Sequence, residues 1–387
     1  MDKILYVNSM VDNDTYRALF SKKEKPMHAA NKYHTLLCKG FVKNEVDVEV
    51  FSALPVNSNN CDKKIVKVNS VKQDGYVIKY PSFVNFPIFR HFKLFLSGFF
   101  KAIFCSKNTT ILYDALVVSL ARGASLGAKI TAKKTVAVVT DFPEFLASKD
   151  NVKRNKVFHK IIDSSSGYIF LTEQMNERLN KNAKPYVVIE GLVDSDMENT
   201  VHKEFSRCKK KVVYAGTLLK MYGIKNLCES FIKVCKPDEE LHVYGDGDYV
   251  PELNDLVNSN KNVYYHGNCL NEVVVSAELE SVLMVNPRPN VGEYTKYSFP
   301  SKTLEYMVSG TPLLTAKLDG IPSEYYNYVF SFESSLETDL SNKLRKILDM
   351  PLDELEDFGS KAKMFAIDNK NNVKQARKII EFISNLR

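Results

Sequence analysis

The sequence predicts an α/β protein made of two doubly wound parallel-sheet domains, and three observations carry that prediction. Short β-branched runs alternate with longer amphipathic segments along the chain, the pattern of parallel strands covered by helices on both faces. The alternation comes in two series, separated by a charged, weakly periodic stretch from Glu190 to Lys210 that reads as a linker. At 387 residues the chain has the length for two buried cores.

The first series places strands near Ile4 to Val7, Val46 to Ser52, Thr110 to Tyr113, Thr135 to Thr140, Tyr168 to Leu171 and Tyr186 to Ile189. The second places them near Lys211 to Tyr214, Leu241 to Tyr244, Val263 to Tyr265, Leu283 to Asn286 and Leu313 to Thr315. The expected domains are 1–195 and 196–370, with 371–387 as a terminal amphipathic helix packing back on the first. Two such domains would face a central cleft, and open α/β sheets bind ligands beyond the carboxyl ends of their strands.

Composition narrows the function. With 44% apolar and 26% charged residues, and only 16 Gly and 14 Pro, neither disorder nor a collagen-like chain fits. A formal charge of +7 suits anionic ligands or lipid and is too dilute to imply nucleic acid. The seven cysteines, Cys208 among them, are scattered without the close spacing of a zinc or redox site, so reduced and mostly buried thiols are expected. The opening MDKILYVNSM reads as a first strand rather than a signal peptide, which gives the expectation of a cytoplasmic protein. No run of about 18 uncharged apolar residues is present for a membrane span.

The second half carries the chemistry. In YAGTLLKMYGIKNL, Gly216 follows a strand and Gly223 precedes a helix; in LHVYGDGDYV, Gly245 and Gly247 again follow a strand. Glycine at such turns lets a ligand approach backbone amides, although plain turn chemistry explains each turn alone. Neither turn has the G-x-G-x-x-G spacing of a dinucleotide site. More specific is VLMVNPRPNVGEYTKYSFPSKTLEYMVSGTPLLT, where a buried strand leads into Asn286, Arg288, Glu293 and Lys296, then into a helix start at Pro300 and Ser301. Proline suits a first helical turn, and Ser298 or Ser301 is placed to cap it. Free amides, the helix dipole and Lys302 make a diphosphate cradle, with Glu305 one turn on to accept ribose hydroxyls and Thr303 a further donor-binding candidate.

Together with YYHGN around His266 and Gly267, the N-terminal KYHTLLCKG, VTDFPEF with Asp141, and the GTPLLT strand, these motifs resemble the family 4 retaining glycosyltransferases of the GT-B fold, in the SFPSK branch that serves capsular and exopolysaccharide assembly. The resemblance spans nearly the whole chain. It implies transfer of a sugar from a nucleoside diphosphate sugar, by preference a UDP-sugar, with retained configuration, no cofactor and no obligatory metal. The implied acceptor is a polyprenyl-diphosphate-linked sugar or a glycan at the inner face of the cell membrane.

Three departures bear on roles. The cations that commonly flank the first glycine turn are Thr217 and Tyr222 here, leaving Lys220, Arg288, Lys296 and Lys302 as replacements. The first of the usual pair of glutamates is Tyr297, with Glu293 the nearest acid to substitute for it. A histidine common before the N-terminal aspartate is Thr140, leaving Asp141 as an acceptor-binding or catalytic candidate. The expected mechanism stabilises the leaving diphosphate with Lys302, Arg288 and the helix start, and lets the leaving phosphate take the acceptor proton.

From Gly75 to Tyr113 there is no acidic residue. Within that span, SFVNFPIFRHFKLFLSGFFKAIF concentrates phenylalanines, with Pro87 placed to start a helix. Phe86, Phe89, Phe99, Arg90, Lys93 and Lys101 would then face an anionic membrane surface; the alternative is a core helix packed on the sheet. His34 reads as a partly buried helix residue, His266 as either a base-pocket or a locally bonded loop residue, and His28 stays open. Two other classes remain: a GT-B nucleotide-sugar epimerase, which would turn over donor without acceptor, and a degenerate membrane-associated scaffold, which would turn over nothing.

Overall fold

A computed structural model describes residues 3–20, 28–57, 59–146, 152–199, 210–334, 336 and 338–386. The chain divides into two compact units, Met1–Leu192 with Asn371–Arg387, and Val193–Lys370. Ser195–Asn199 forms a short 3₁₀ turn. Residues 200–209 of the expected linker, Cys208 with them, and the side chain of His28 lie outside the described residues.

The first unit is built on β1 (Lys3–Asn8), β2 (Asp47–Ser52), β3 (Val71–Gln73), β4 (Tyr76–Lys79), β5 (Thr109–Asp114), β6 (Thr135–Val139), β7 (Gly167–Phe170) and β8 (Tyr186–Val188), in the order β8-β7-β6-β5-β1-β2-β4-β3. All pair in parallel except β3 with β4. The central strands are apolar and buried on both faces, as a helix-covered parallel sheet requires. Among the covering helices are α1 (His28–Lys43), α2 (Pro87–Phe104) and α3 (Val118–Ile130).

The 71–73 and 76–79 strands are absent from the sequence expectation. They flank a tight turn in which Asp74 and Gly75 both have positive φ, 46° and 85°, the geometry of an Asp-Gly hairpin. His34 is wholly rather than partly buried: Tyr6 Oη lies 2.5 Å from its Nδ1 and Asp114 Oδ2 3.2 Å from its Nε2. Cys38, Cys61 and Cys228 are buried, while Cys105, Cys235 and Cys269 are half-exposed.

The second unit contains β9 (Lys210–Ala215), β10 (Glu239–Tyr244), β11 (Val263–Tyr265), β12 (Leu283–Asn286), β13 (Leu313–Ala316) and β14 (Phe330–Phe332), all parallel, in the order β11-β10-β9-β12-β13-β14. Counted from β9 this is 3-2-1-4-5-6, the dinucleotide-fold order, and the order reverses between β9 and β12. Only β14 was not expected from sequence. Helices α4 (Ile224–Val234) and α5 (Ser301–Ser309) follow β9 and β12. The α4 residues Ile224, Leu227, Cys228 and Phe231 are buried in the core of this unit.

After the second unit, the terminal helix Asn372–Asn385 rejoins the first. Asn372 Nδ2 donates to Leu36 O at 3.2 Å and Asn44 Nδ2 to Val373 O at 2.9 Å. At Gly40 a Cβ would lie 2.1 Å from Asn372 O, so α1 and the terminal helix meet backbone to backbone.

Candidate functional site

The carboxyl ends of β9, β10 and β12 interlock through their glycine turns. Gly245 has φ +131°, and a Cβ there would lie 1.8 Å from Gly216 O. Gly223, at φ +78°, would put a Cβ 2.2 Å from Pro287 O. No other residue permits both the backbone conformation and the approach. The amides behave differently from the sequence expectation: Gly216 N donates to Tyr244 O at 3.0 Å and Gly245 N to Gly267 O at 2.8 Å. These two amides extend the sheet bonding and do not point at a ligand. Gly247 N is bonded to Asp246 Oδ1 at 2.8 Å.

Around the first turn, Thr217 O accepts from Tyr214 Oη at 2.8 Å. Lys220 donates its amide to Asp248 Oδ1 at 2.7 Å and pairs its Nζ with Glu252, both side chains being about half exposed. Past β11, His266 N donates to Val243 O at 3.0 Å. Its ring stacks on Tyr244 with centroids 4.4 Å apart, and its Nε2 lies 2.9 Å from His242 Nδ1. Burial first, then His242 and Lys211, lowers the His266 pKa below its ordinary value. The histidine pair shares one proton in that contact, so His266 sits in the hydrogen-bonding of the loop beside Gly267. His242 was not singled out by the sequence; its position two residues before Tyr244 on the same strand face is the signal.

After β12 the chain runs through Asn286 and Arg288. The Arg288 guanidinium lies 5.2 Å from the Tyr222 ring and 4.8 Å from the Tyr294 ring. The loop beyond is held by Asn290 N to Ser334 Oγ at 3.0 Å and Thr295 Oγ1 to Asn290 Oδ1 at 3.1 Å. Glu293 and Lys296 are exposed on it. Tyr297 Oη makes a long 3.4 Å bond to Glu293 Oε1, so the residue at the first glutamate position and its nearest acid do meet.

Helix α5 starts at Ser301 with Pro300 as N-cap, and the cap makes no side-chain hydrogen bond. This corrects the expected capping by Ser298 or Ser301. The first turn carries no acid, which keeps the positive end of the helix dipole uncompensated there. Thr303 is fully buried, and its amide donates to Pro300 O at 2.9 Å. Lys302 Nζ lies 3.2 Å from Glu305 Oε2, one turn away. Tyr306 Oη donates to Ala215 O at 2.8 Å and so ties α5 to the end of β9.

The second unit therefore brings together Gly216, Thr217, Tyr222, Arg288, Thr303 and the Lys302–Glu305 pair around the ends of β9 and β12. Asp141 belongs to the first unit, just past β6, where its Oδ1 accepts from Phe142 N at 2.8 Å. Tyr294 escaped the sequence reading because nothing in its spacing marks it as a partner of Arg288. Among the described residues no group of three His, Cys, Asp or Glu side chains is placed to hold a metal.

In the first unit, α2 packs on α3 through small residues. A Cβ at Gly98 would lie 2.3 Å from Leu120 O, and one at Gly123 2.0 Å from Phe95 O. The helix axes come close, and several apolar side chains of α2 are turned outward: Phe104 is 80%, Ile88 73%, and Phe89 and Phe92 62% exposed, with Phe86 and Phe100 about half exposed. The core-helix alternative thus holds for one face only. The basic edge differs from expectation. Lys93 is exposed, but Arg90 donates Nη1 to Val56 O, Lys101 pairs with Glu49, and Phe99 is half-buried. Both cations find local acceptors that the sequence pattern did not reveal. No described helix is long and apolar enough to cross a membrane.

The two doubly wound units and the strand-end site define the GT-B fold, and known proteins agree. Residues 197–365 match the family described as glycosyl transferases group 1. Sucrose-phosphate synthase from Thermosynechococcus elongatus superposes with a TM-score of 0.69 at 13% identity, covering 99% of each chain. HepE from Anabaena, in complex with UDP-glucose, gives 0.64 at 15% identity over 100% of each chain. A UDP-forming α,α-trehalose-phosphate synthase from Burkholderia xenovorans gives 0.69 at 11% identity, covering 100% of this chain and 99% of its own. No curated protein matches the chain in sequence.

Proposed function

We propose that the chain is a retaining, metal-independent glycosyltransferase that moves a hexose from a nucleoside diphosphate sugar, a UDP-sugar, to a lipid-linked or polysaccharide acceptor in cell-surface glycan assembly. The observation that carries the reading is the strand-end site of the second unit, where an uncapped helix start, Lys302, Arg288 and Glu305 surround the switch point between β9 and β12. Support comes from the group 1 match over that unit and from the UDP and UDP-glucose complexes of HepE.

In this reading Lys302 and the α5 amides take up charge as the diphosphate leaves, because preorganised donors stabilise charge most where it develops. Glu305 accepts the ribose hydroxyls, freeing Lys302 from the ion pair as the ligand arrives. His266 and Gly267 line the base, and Ser301, Thr303, Lys220 and Lys296 complete the donor contacts. Glu293 stands for the missing first glutamate, Asp141 orients the acceptor, and the leaving phosphate takes the acceptor proton. The acceptor places the protein at the cytoplasmic face of the membrane, with Phe86, Phe89 and Lys93 toward the lipid.

Calorimetry of the full chain against UDP, GDP and ADP tests the donor reading. The expected result is selective binding of UDP, weakened roughly tenfold or more, about 1.4 kcal/mol, in Lys302→Ala and in Glu305→Ala. A folded wild type that binds none of the three rules the reading out. Product configuration by NMR, with and without a chelator, then decides retention and metal independence.

A further inference from the structure

The first unit carries a polar cavity at the amino ends of its strands. Its volume is about 250 Å³, and Ser125, Lys129, Lys133, Thr135, Ser164 and Ser166 line it. Thr135 opens β6, Ser164 and Ser166 stand between the helix Val152–Asp163 and β7, and the others come from α3 and the turn after it. Asp141 follows the opposite, carboxyl end of β6, so the cavity is at the other end of the strand from the acceptor candidate. Among the described residues no carboxylate lines it.

The two lysines are cations of different kinds. Lys133 Nζ donates to Ala102 O at 3.0 Å, Ile103 O at 3.2 Å and Thr131 Oγ1 at 3.2 Å. All three acceptors are neutral, so the ammonium is fixed against the end of α2 with its charge unpaired. Lys129 is exposed and, among the described residues, has neither an ion pair nor a hydrogen bond, which leaves it able to swing onto a ligand. Asp163, the acid next to the lining, is countered by Lys184, whose Nζ donates to Asp163 O at 2.5 Å and Ser165 O at 2.7 Å. The hydroxyls divide in the same way. Ser164 Oγ gives its proton to Ile161 O at 2.8 Å, so Ser125 Oγ, 2.8 Å from it, is the donor of that pair and both protons are spent. Thr135 Oγ1 instead accepts from Ser166 N at 3.3 Å, and Ser166 Oγ from Thr135 N at 3.2 Å. Backbone amides fill the acceptor roles of these two hydroxyls, and neither proton is used in the exchange. Two unpaired ammonium charges with hydroxyl donors and no acid suit a doubly charged oxyanion. A phosphate monoester carries about −1.5 to −2 charges at pH 7 and three acceptor oxygens, whereas a carboxylate brings one charge.

We propose that this cavity binds the phosphate group of a phosphate monoester, with Lys129 closing on the anion, Lys133 as the fixed charge, and Ser166 and Thr135 as hydroxyl donors. The site belongs to the first unit and does not draw on the nucleotide-sugar reading. The phosphate chemistry is the same in a soluble ester and in a lipid headgroup. Leu126 and Ile130, each next in sequence to a lining residue of α3, are exposed and give an acyl chain a surface to lie on, so the test separates the two sources.

The experiment uses the full chain at constant ionic strength, with glycerol phosphate as the soluble probe and phosphatidylcholine vesicles with or without phosphatidic acid as the lipid one. Hydrogen exchange locates the anion: glycerol phosphate is expected to slow exchange at residues 129–136 and 162–168. Lys129→Gln removes an exposed charge that bonds nothing in the fold, and a loss of roughly fivefold or more is expected in glycerol phosphate affinity by calorimetry or in phosphatidic-acid-dependent flotation. Lys72→Gln, exposed on β3 at the far edge of the same sheet, makes the same change in net charge and is expected to stay within about twofold of wild type. A Lys129-dependent response to glycerol phosphate supports a soluble ester, and one to phosphatidic acid vesicles alone supports a lipid headgroup. Protection confined to the ends of β9 and β12 places the anion in the donor site and overturns the proposal. So does a response to both probes within about twofold of wild type in folded Lys129→Gln, or no response of the folded wild type to either probe.

Discussion

Glu49, on the first sheet, meets three lysines: Lys79 at 2.9 Å, Lys3 at 3.4 Å and Lys101 of α2. Burial by itself would raise its pKa, but hydrogen bonds from Lys101 and Lys79 outweigh burial and bring it from 4.5 to about 2. A carboxyl depressed in the folded state adds stability above its unfolded pKa and loses it as pH falls toward the folded one. Urea unfolding should therefore show Glu49→Gln less stable than wild type at pH 7 by on the order of 2 kcal/mol, with the gap closing between pH 4.5 and about 2. A gap independent of pH contradicts the pairing. The same contact shows where sequence reading of single residues stops. The helix start that carries Lys302, Thr303 and Glu305 was legible because one contiguous stretch of sequence encodes it. The Glu49 partner of Lys101, the contacts of Arg288 with the Tyr222 and Tyr294 rings and the His242–His266 pair were not seen. Each of these depends on which strand or loop the tertiary fold sets opposite, and no spacing along the chain encodes that.

Helices and strands were more legible than their partners. The β-branched runs of the central strands were identifiable because both faces are buried, so the runs are long and apolar. The strands at 71–73, 76–79 and 330–332 are short and were not expected; the Asp74-Gly75 turn was the better signal for the first two. For α2, the phenylalanine density announced an unusual helix, but only the backbone approach at Gly98 and Gly123 shows that its inner face is filled by small residues. Its exposed face then has a physical consequence. Each phenylalanine moved from water into an interface is worth about 1.5–3 kcal/mol when fully buried, so even partial insertion of Phe89, Phe92 and Phe104 outweighs the single charge of Lys93. In vesicle flotation, wild type is expected to float with bilayers containing anionic phosphatidylglycerol, and the triple Phe89→Ser, Phe92→Ser, Phe104→Ser variant to stay in the soluble fraction. Equal flotation of the two assigns the ridge to something other than the membrane.

At the scale of the whole chain, the polypeptide leaves the first unit at Leu192, completes the second by Lys370, and comes back to the first with one helix. That helix buries Ala376, Ile379 and Ile383, bonds Leu36 O through Asn372, and lets Lys134 reach Leu386 O at its end. Two buried isoleucines at about 1.5–3 kcal/mol each give roughly 3–6 kcal/mol, a large part of the ~5–15 kcal/mol that holds an ordinary domain folded. The second unit has its own six-stranded sheet and its own core cluster, drawn from Val193 to Ala366. A chain ending at Lys370 should therefore lose hydrogen-exchange protection in β1 and β2 of the first unit while β9, β10 and β12 keep theirs. Because the Arg288 loop and the α5 start are wholly within the second unit, nucleotide affinity in the shortened chain should stay within a few-fold of the full chain. Retained protection in β1 and β2 means the terminal helix is dispensable to the unit it packs on. Lost protection in both units means they fold as one cooperative body, in which case the donor site depends on a helix that contributes no residue to it.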